Sequence, residues 1–485
     1  MTMEHEYTGL LKDGAACRIA VRDDVIHVQI DRHHQPDPRK LFEASPVPTP
    51  LTVRVGRGLT ASVAGLVRVN RDASTDYERQ TFSATSLVIG PAPFGGTEKI
   101  AGIRFVPTNQ LHAIYWTAHR SSGALNKSDD PLSSIDGAGA IFGRYQVDVI
   151  DTERLEAARI VEDNVSIHMN VVHNENHNRQ GTQRAEKRQV SIGYAEGRTL
   201  AEAVGDVSYV CAFMSVMMGI VIAPTALEFG VMDTEQASRG SYLVYSRLRS
   251  AAPELKLTDL NTGILSANYH RPAYEAALRA WLVRRDDWQK ATNFALDALT
   301  MGERLDRVRF LNATGWFEAI PPDYMAAAGD ISSDALNGAA KSASVVLAEH
   351  GHAGLENRVR GLIGNLNNPS LAIRLEAAVK ALRVRFGQAI LPSSAEEICR
   401  LVPSIRGSYA HGDDPLLGRN AGSVLVATVL TETICYLLTI SGLGFSLELQ
   451  LGADHKLTDS ILRLPVLAAA SAVRPSPSKG SGGAT

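Results

Sequence analysis

Cysteine is scarce and scattered: the four present, Cys17, Cys211, Cys399 and Cys435, have no short spacing between them. That excludes a disulfide framework and a zinc knuckle, both of which need thiols at fixed short intervals. An excess of charge of one sign is missing too. Basic side chains number 49 and acidic ones 52, a formal net charge of −3, so no whole-chain field draws the protein to nucleic acid and any such contact must come from a local patch. The opening Met1-Thr2-Met3-Glu4-His5-Glu6 has neither the basic nor the apolar region of a secretion signal. Together with the scattered cysteines this points to a reducing cytoplasm. No solenoid repeat is present. The glycine-rich Gly90-Pro91-Ala92-Pro93-Phe94-Gly95-Gly96 lacks the Lys-Ser/Thr and the following helix of a phosphate loop.

What is present suits a soluble chain of two or three domains: 485 residues, 45% hydrophobic and 21% charged. Two apolar runs, Val207 to Leu227 and Ala421 to Ile440, approach membrane-spanning length. The first is broken by Gly219 and Pro224, and the second carries Glu432 in its middle. Both read as buried core, with no membrane partner.

The two halves differ in texture. From Tyr7 to about Glu196, short runs of period two such as Cys17-Arg18-Ile19-Ala20-Val21 and Leu51-Thr52-Val53-Arg54-Val55 are separated by turn residues such as Arg22-Asp23-Asp24. They predict an antiparallel β-sandwich-like domain. Leu200 to Met218 reads as a helix, with a strand following to about Val231. From roughly Gly240 the apolar period becomes 3.6, with Tyr274, Leu278, Trp281 and Leu282 on one face and Leu371, Leu375, Val379 and Leu382 on another. The expected fold class is α+β: a β-rich domain over 1–235, a connecting segment over 236–265, an all-α bundle over 266–473 and a disordered tail over 474–485.

Chemistry concentrates near the C-terminus, in Pro403-Ser404-Ile405-Arg406-Gly407-Ser408-Tyr409-Ala410-His411-Gly412-Asp413. Arginine offers a permanent forked charge that suits a phosphate. Histidine can both take and give a proton near neutrality. On a regular helix five positions separate Arg406 from His411 by about 140°, so a continuous helix would not put them on one face. Gly407 and Ser408 make a poor helix interior, and Ser408 suits an N-cap, which would leave Arg406 on a loop free to turn towards His411. The competing reading pairs Arg406 with Asp413 or Asp414 and lets His411 cap its own turn. Tyr409 is available to stack on a base or to pack.

Other clusters carry less. His168, His173 and His177 would include ligand neighbours on a helix, but the segment reads as a strand running into an Asn-rich loop, where they do not converge. No metal and no cofactor is expected. His33 to Pro38 reads as a surface loop. Arg358, Arg360, Arg374, Lys380, Arg383 and Arg385 span a stretch whose only acid is Glu376. That stretch is the candidate basic patch, though a solvated helix face explains it as well.

The Arg-x4-His element, placed at the start of a late helix in an all-helical half, resembles that of the HEPN superfamily of ribonucleases. Glu396-Glu397-Ile398-Cys399-Arg400 fits the acidic-x3-basic element that often precedes it there. Arg309 to Ile320, with Trp316, Phe317 and Glu318, looks like the aromatic helix ending in glutamate of the ApeA-like branch, in which a β-rich domain of this length precedes the HEPN domain. One departure is Gly407, where the superfamily frequently has Asn, Asp or His. The resemblance implies a homodimeric, metal-independent endoribonuclease of anti-phage defence that cuts tRNA or other cellular RNA. Arg406 and His411 would be catalytic and Glu318, Glu396, Arg400 and Tyr409 supporting, while the β-rich domain would answer a phage-derived trigger. Two further readings remain open: a HEPN-like RNA-binding or dimerising module without catalysis, which Gly407 favours, and a carbohydrate- or protein-binding sandwich on a helical dimerisation platform.

Overall fold

The structure is a computed structural model that describes residues 5–22, 25–33, 47, 49–56, 58–74, 77–109, 119–121, 148–150, 156–162, 164–178, 181–231, 241–246, 264–265, 267–301, 305–321, 332–364, 369–412, 421–444, 461 and 463–468. Asp23 and Asp24 of the expected turn, His34 to Pro38, Asp413, Asp414 and the tail over 474–485 lie outside the described residues. The chain divides into two compact units, Met1–Arg279 and Ala280–Thr485. An antiparallel sheet is followed by a helical region, so the α+β class holds.

The first unit contains β1 (His5–Leu10), β2 (Ala16–Arg22), β3 (Val25–His33), β4 (Leu51–Val55), β5 (Leu59–Ala64), β6 (Val67–Ala73), β7 (Tyr77–Ala84), β8 (Ser86–Gly90), β9 (Ile100–Pro107), β10 (His119–Ser121), β11 (Asp148–Ile150), β12 (Glu156–Glu162), β13 (Val165–Asn178), β14 (Gly181–Arg198), β15 (Pro224–Val231) and β16 (Tyr242–Ser246). Among the described residues β10 and β11 pair with each other, and the other strands form one sheet in the order β12-β13-β14-β9-β15-β16-β8-β5-β4-β1-β2-β3-β7-β6. The sequence leads one to expect two sheets. Continuous hydrogen bonding through β16, which lies inside the segment read as a connection, makes them one.

Alternation explains the core. Cys17, Ile19 and Val21 of β2 stand opposite Ile30, Val28 and Ile26 of β3, and Leu51 and Val53 of β4 opposite Val63 and Ala61 of β5. With Phe82, Leu87 and Ile89 these side chains form one contiguous buried cluster. Each valine, leucine, isoleucine and phenylalanine among them contributes about 1.5–3 kcal/mol by leaving water.

Leu200–Met218 forms α1, with the bounds expected. Thr199 caps it by accepting from the Glu202 backbone N–H while the Glu202 carboxylate accepts from the Thr199 N–H, and Gly219 ends it at φ 71°. His168, His173 and His177 all fall on β13. The side chains of His173 and His177 lie outside the described residues.

Asp31 of β3 accepts from Tyr77 Oη at 2.6 Å, Arg79 Nε at 2.7 Å and Gln29 Nε2 at 2.7 Å. Partial burial pulls its pKa up, and the hydrogen bonds from Tyr77, Arg79 and Gln29 outweigh that to leave it below the usual carboxylate value. A depressed folded pKa gives stability that is complete above the unfolded value of about 3.9 and is lost as pH falls towards the folded one. We predict that Asp31→Asn lowers the thermal midpoint at neutral pH and that the gap to the parent closes below about pH 4. A gap independent of pH would show that the carboxylate charge is not involved.

The helices are α2 (Ala267–Val283), within which the unit boundary falls, α3 (Arg285–Thr300), α4 (Arg307–Ala319), α5 (Ser333–Glu349), α6 (Glu356–Gly364), α7 (Leu371–Phe386), α8 (Ala395–Ala410) and α9 (Ala421–Ser441). Both α1 and α9 are long and apolar enough to cross a membrane, yet 61% and 89% of their most apolar windows are buried in the fold. In the second unit α9 is the central element, and α4, α7 and α8 pack on it. Its mid-helix Glu432 receives Arg309 of α4 in a bidentate pair, Nε to Oε1 at 2.8 Å and Nη2 to Oε2 at 2.7 Å, with side chains only 8% and 6% exposed. Arg284 donates to the Thr439 carbonyl at 2.9 Å and lies 4.7 and 4.2 Å from the rings of Trp281 and Trp288.

Removing one partner of a buried ion pair strands the other charge and costs about 3–5 kcal/mol, whereas replacing both by apolar groups is often neutral. Glu432→Ala is therefore expected to lower the unfolding midpoint severely, and Arg309→Met with Glu432→Leu to recover most of the loss. A double variant no more stable than the single would refute the account.

Candidate functional site: the α4–α8 surface

Helix α8 buries Ala395, Ile398, Cys399, Val402, Ile405 and Tyr409, the three-to-four spacing of one apolar face. That face runs through Gly407 and Ser408. The helix does not break where the sequence suggests: Arg406 is helical, Ser408 is no N-cap and its hydroxyl bonds back to the Ser404 carbonyl at 3.3 Å. The Arg-x4-His element thus closes a helix rather than opening one. His411 is the C-cap, its N–H donating to the Gly407 carbonyl at 3.0 Å, and Gly412 follows at φ 86° in the left-handed conformation that ends helices.

Arg406 and His411 consequently lie about 140° apart round α8. Arg406 turns to α4, where both of its terminal nitrogens meet both oxygens of Glu318: Nη1 donates to Oε1 and Nη2 to Oε2, the latter at 2.9 Å. The pair is partly exposed, 42% for Arg406 and 35% for Glu318. A guanidinium has five N–H donors, so a carboxylate on one edge leaves others to meet a phosphate. Such a partner fixes the orientation of a long flexible side chain. Trp316, two positions before Glu318, is buried and meets the Tyr436 ring at 5.9 Å, so Glu318 faces out where Trp316 faces in.

The remaining candidates fall elsewhere. Glu396 accepts from Arg383 Nη1 at 2.8 Å and Arg400 Nε donates to Glu376 at 2.7 Å; both pairs tie α7 to α8 and neither touches Arg406. Tyr409 is 1% exposed, with Phe310 at 5.6 Å. It is a core residue, unavailable to stack on a base. The basic stretch does not act as one face: Arg360 pairs with Glu356, Arg383 with Glu396, and Arg374 lies 5.4 Å from the Phe317 ring. The Glu318 contact was foreshadowed only by the resemblance, since residues 88 apart in the chain leave no local signal. Burial pushes the Cys399 thiol up to about 12, which makes it inert as a nucleophile near neutrality. Gly407 is no steric necessity. A Cβ there would meet nothing within 4 Å.

Comparison of the chain with family models, with curated proteins and with solved structures finds no match.

An exposed ion pair typically contributes under about 1 kcal/mol. Glu318→Ala should accordingly leave the thermal midpoint nearly unchanged, in contrast to Glu432→Ala. A loss comparable to that of Glu432→Ala would make the pair a structural clamp.

Proposed function

We propose that the chain is an endoribonuclease of HEPN type, acting without a metal as a homodimer in the cytoplasm, with tRNA or another cellular RNA as substrate and a role in abortive anti-phage defence. One observation carries the reading: an arginine whose fork is held in place by Glu318 at the surface, five residues before an exposed histidine that ends the same helix. The twofold arrangement answers the 140° separation, because two copies of α8 would bring two arginines and two histidines to one cleft.

In that cleft His411 of one subunit takes the proton of a ribose 2′-hydroxyl as the oxygen attacks phosphorus. The P–O5′ bond breaks, and the other subunit's equivalent histidine gives the leaving oxygen a proton. The products are a 2′,3′-cyclic phosphate and a 5′-hydroxyl. Arg406 stabilises the charge growing on the non-bridging oxygens. DNA, without the nucleophile, is not cut this way. The β-rich unit is the proposed receiver of the phage-derived trigger. The alternative, a HEPN-like module without catalysis, is favoured by Gly407, which supplies no polar side chain beside the arginine.

The test is purified protein with total tRNA, resolved on a gel with and without EDTA, with product ends identified. We expect cleavage to survive chelation, His411→Ala to lose about 10²–10⁴ of the rate and Arg406→Lys about 10²–10³, since a lysine keeps the charge without the fork. A requirement for magnesium, cleavage of a 2′-deoxy linkage or full activity of either variant would overturn the mechanism. Inactivity of the parent with retained RNA binding would favour the alternative.

A further inference from the structure

The first unit contains a cavity of about 1000 Å³ lined by residues of β1, β4, β5, the β1–β2 and β4–β5 turns and the segment after β8. Its origin is legible in the strand register. β1 pairs with β4 only at Gly9↔Val55 and Leu10↔Arg54, the approach being so close that a Cβ on Gly9 would lie 2.0 Å from the Arg54 carbonyl oxygen. The chain then turns away into β2, held by Leu11 N–H to the Ala15 carbonyl at 2.9 Å and Gly14 N–H to the Leu11 carbonyl at 3.0 Å. On the opposite side Pro91, Ala92 and Pro93 leave the sheet as a wall. That wall is anchored at Phe94, whose N–H donates to Ser62 Oγ at 2.9 Å and whose ring packs 5.1 Å from Phe229.

The chemistry of the lining is selective. In β4 the odd residues are buried in the core and the even ones, Thr52 and Arg54, face outward. Thr60, directly opposite Arg54, is only 6% exposed. Lys12 adds a second cation from the turn. Among the described residues neither Lys12 nor Arg54 forms an ion pair, and the cavity lining includes no acid; the neighbouring Asp13 is turned to Arg32 at 3.2 Å. Beside the cations lie apolar side chains, Leu10 at 62% exposure and directly opposite Arg54, with Pro91 and Pro93. Two unneutralised cations from separate elements suit a dianion better than a lone carboxylate. Threonine hydroxyls suit further oxygens, and the apolar walls suit an organic body far larger than a bare anion.

We infer that this cavity binds a small organic phosphate monoester of about nucleotide size, its phosphate on Lys12 and Arg54 and its organic part against Leu10, Pro91 and Pro93. The inference does not rest on the nuclease reading, whose residues all belong to the second unit.

The experiment is calorimetric titration of the full chain with adenosine 5′-monophosphate, glucose 6-phosphate and inorganic phosphate, each up to about 5 mM. The two esters separate a flat base from a polyol as the organic part. At least one ester is expected to bind, about tenfold or more tightly than inorganic phosphate. Lys12→Gln and Arg54→Gln are each expected to weaken it by about tenfold or more, and Arg54→Lys to fall between parent and glutamine variant. Thermal midpoints of the variants check that these outward-facing substitutions leave the fold intact, and Arg54→Lys serves where a glutamine variant fails to fold. Failure of both esters to bind, binding undiminished in both glutamine variants, or inorganic phosphate binding as tightly as the better ester would overturn the inference.

Discussion

Glu432 sits about half-way along α9 among aliphatic, aromatic and threonine side chains, and its carboxylate is as buried as they are. A lone carboxylate there would be untenable. Arg309 must therefore arrive from α4 with both nitrogens placed, and one such pair fixes the axial position and the rotation of α4 on α9 together. Apolar packing alone would tolerate a slide between the helices; a bidentate pair does not. We take this pair to set the specificity of the helical unit more than its stability.

That constraint reaches the surface. Glu318 follows Arg309 by nine residues, about two and a half turns, so when Arg309 points into α9 Glu318 points away from it. Phe310, Trp316 and Phe317 occupy the buried positions between. The carboxylate then stands where Arg406 of α8 can reach it, although α4 and α8 are held chiefly by their common neighbour α9. A buried ion pair thus orients an exposed one. The two differ in consequence: the inner pair governs whether the unit folds in this register, the outer pair where one guanidinium points.

Much of this was legible in the sequence, and the exceptions have a common cause. Glu432 inside an apolar run already argued for a core helix, though not for its partner, and the α1 bounds follow from Thr199, Glu202 and Gly219, all local. Helix α8 was read as broken at Gly407 and Ser408 because glycine costs about 1 kcal/mol in a helix interior. Burial of Ile405 and Tyr409 on either side outweighs that, and such a tertiary term is invisible locally. The same holds for Glu396, Arg400 and Tyr409, whose partners Arg383, Glu376 and Phe310 are distant in sequence. The β16 strand was missed because five residues in a polar stretch carry too little periodicity, and their identity as a strand depends on β8 and β15.

β16 has a consequence for how the polypeptide is made. In the strand order it alone connects the tract ending in β15 with the tract beginning at β8, through Leu243↔Ile89 and Tyr245↔Leu87 on one side and Leu227↔Val244 on the other. Among the described residues it is also the last strand to leave the ribosome. Until residue 246 emerges, a nascent chain holds two partial sheets, each with an open edge that invites pairing with a neighbouring chain. Closure spans more than a hundred and fifty residues on the β8 side, which makes it the slow, high-contact-order step of this unit. The interval between the emergence of β15 and that of β16 therefore sets how long those edges stay unpaired.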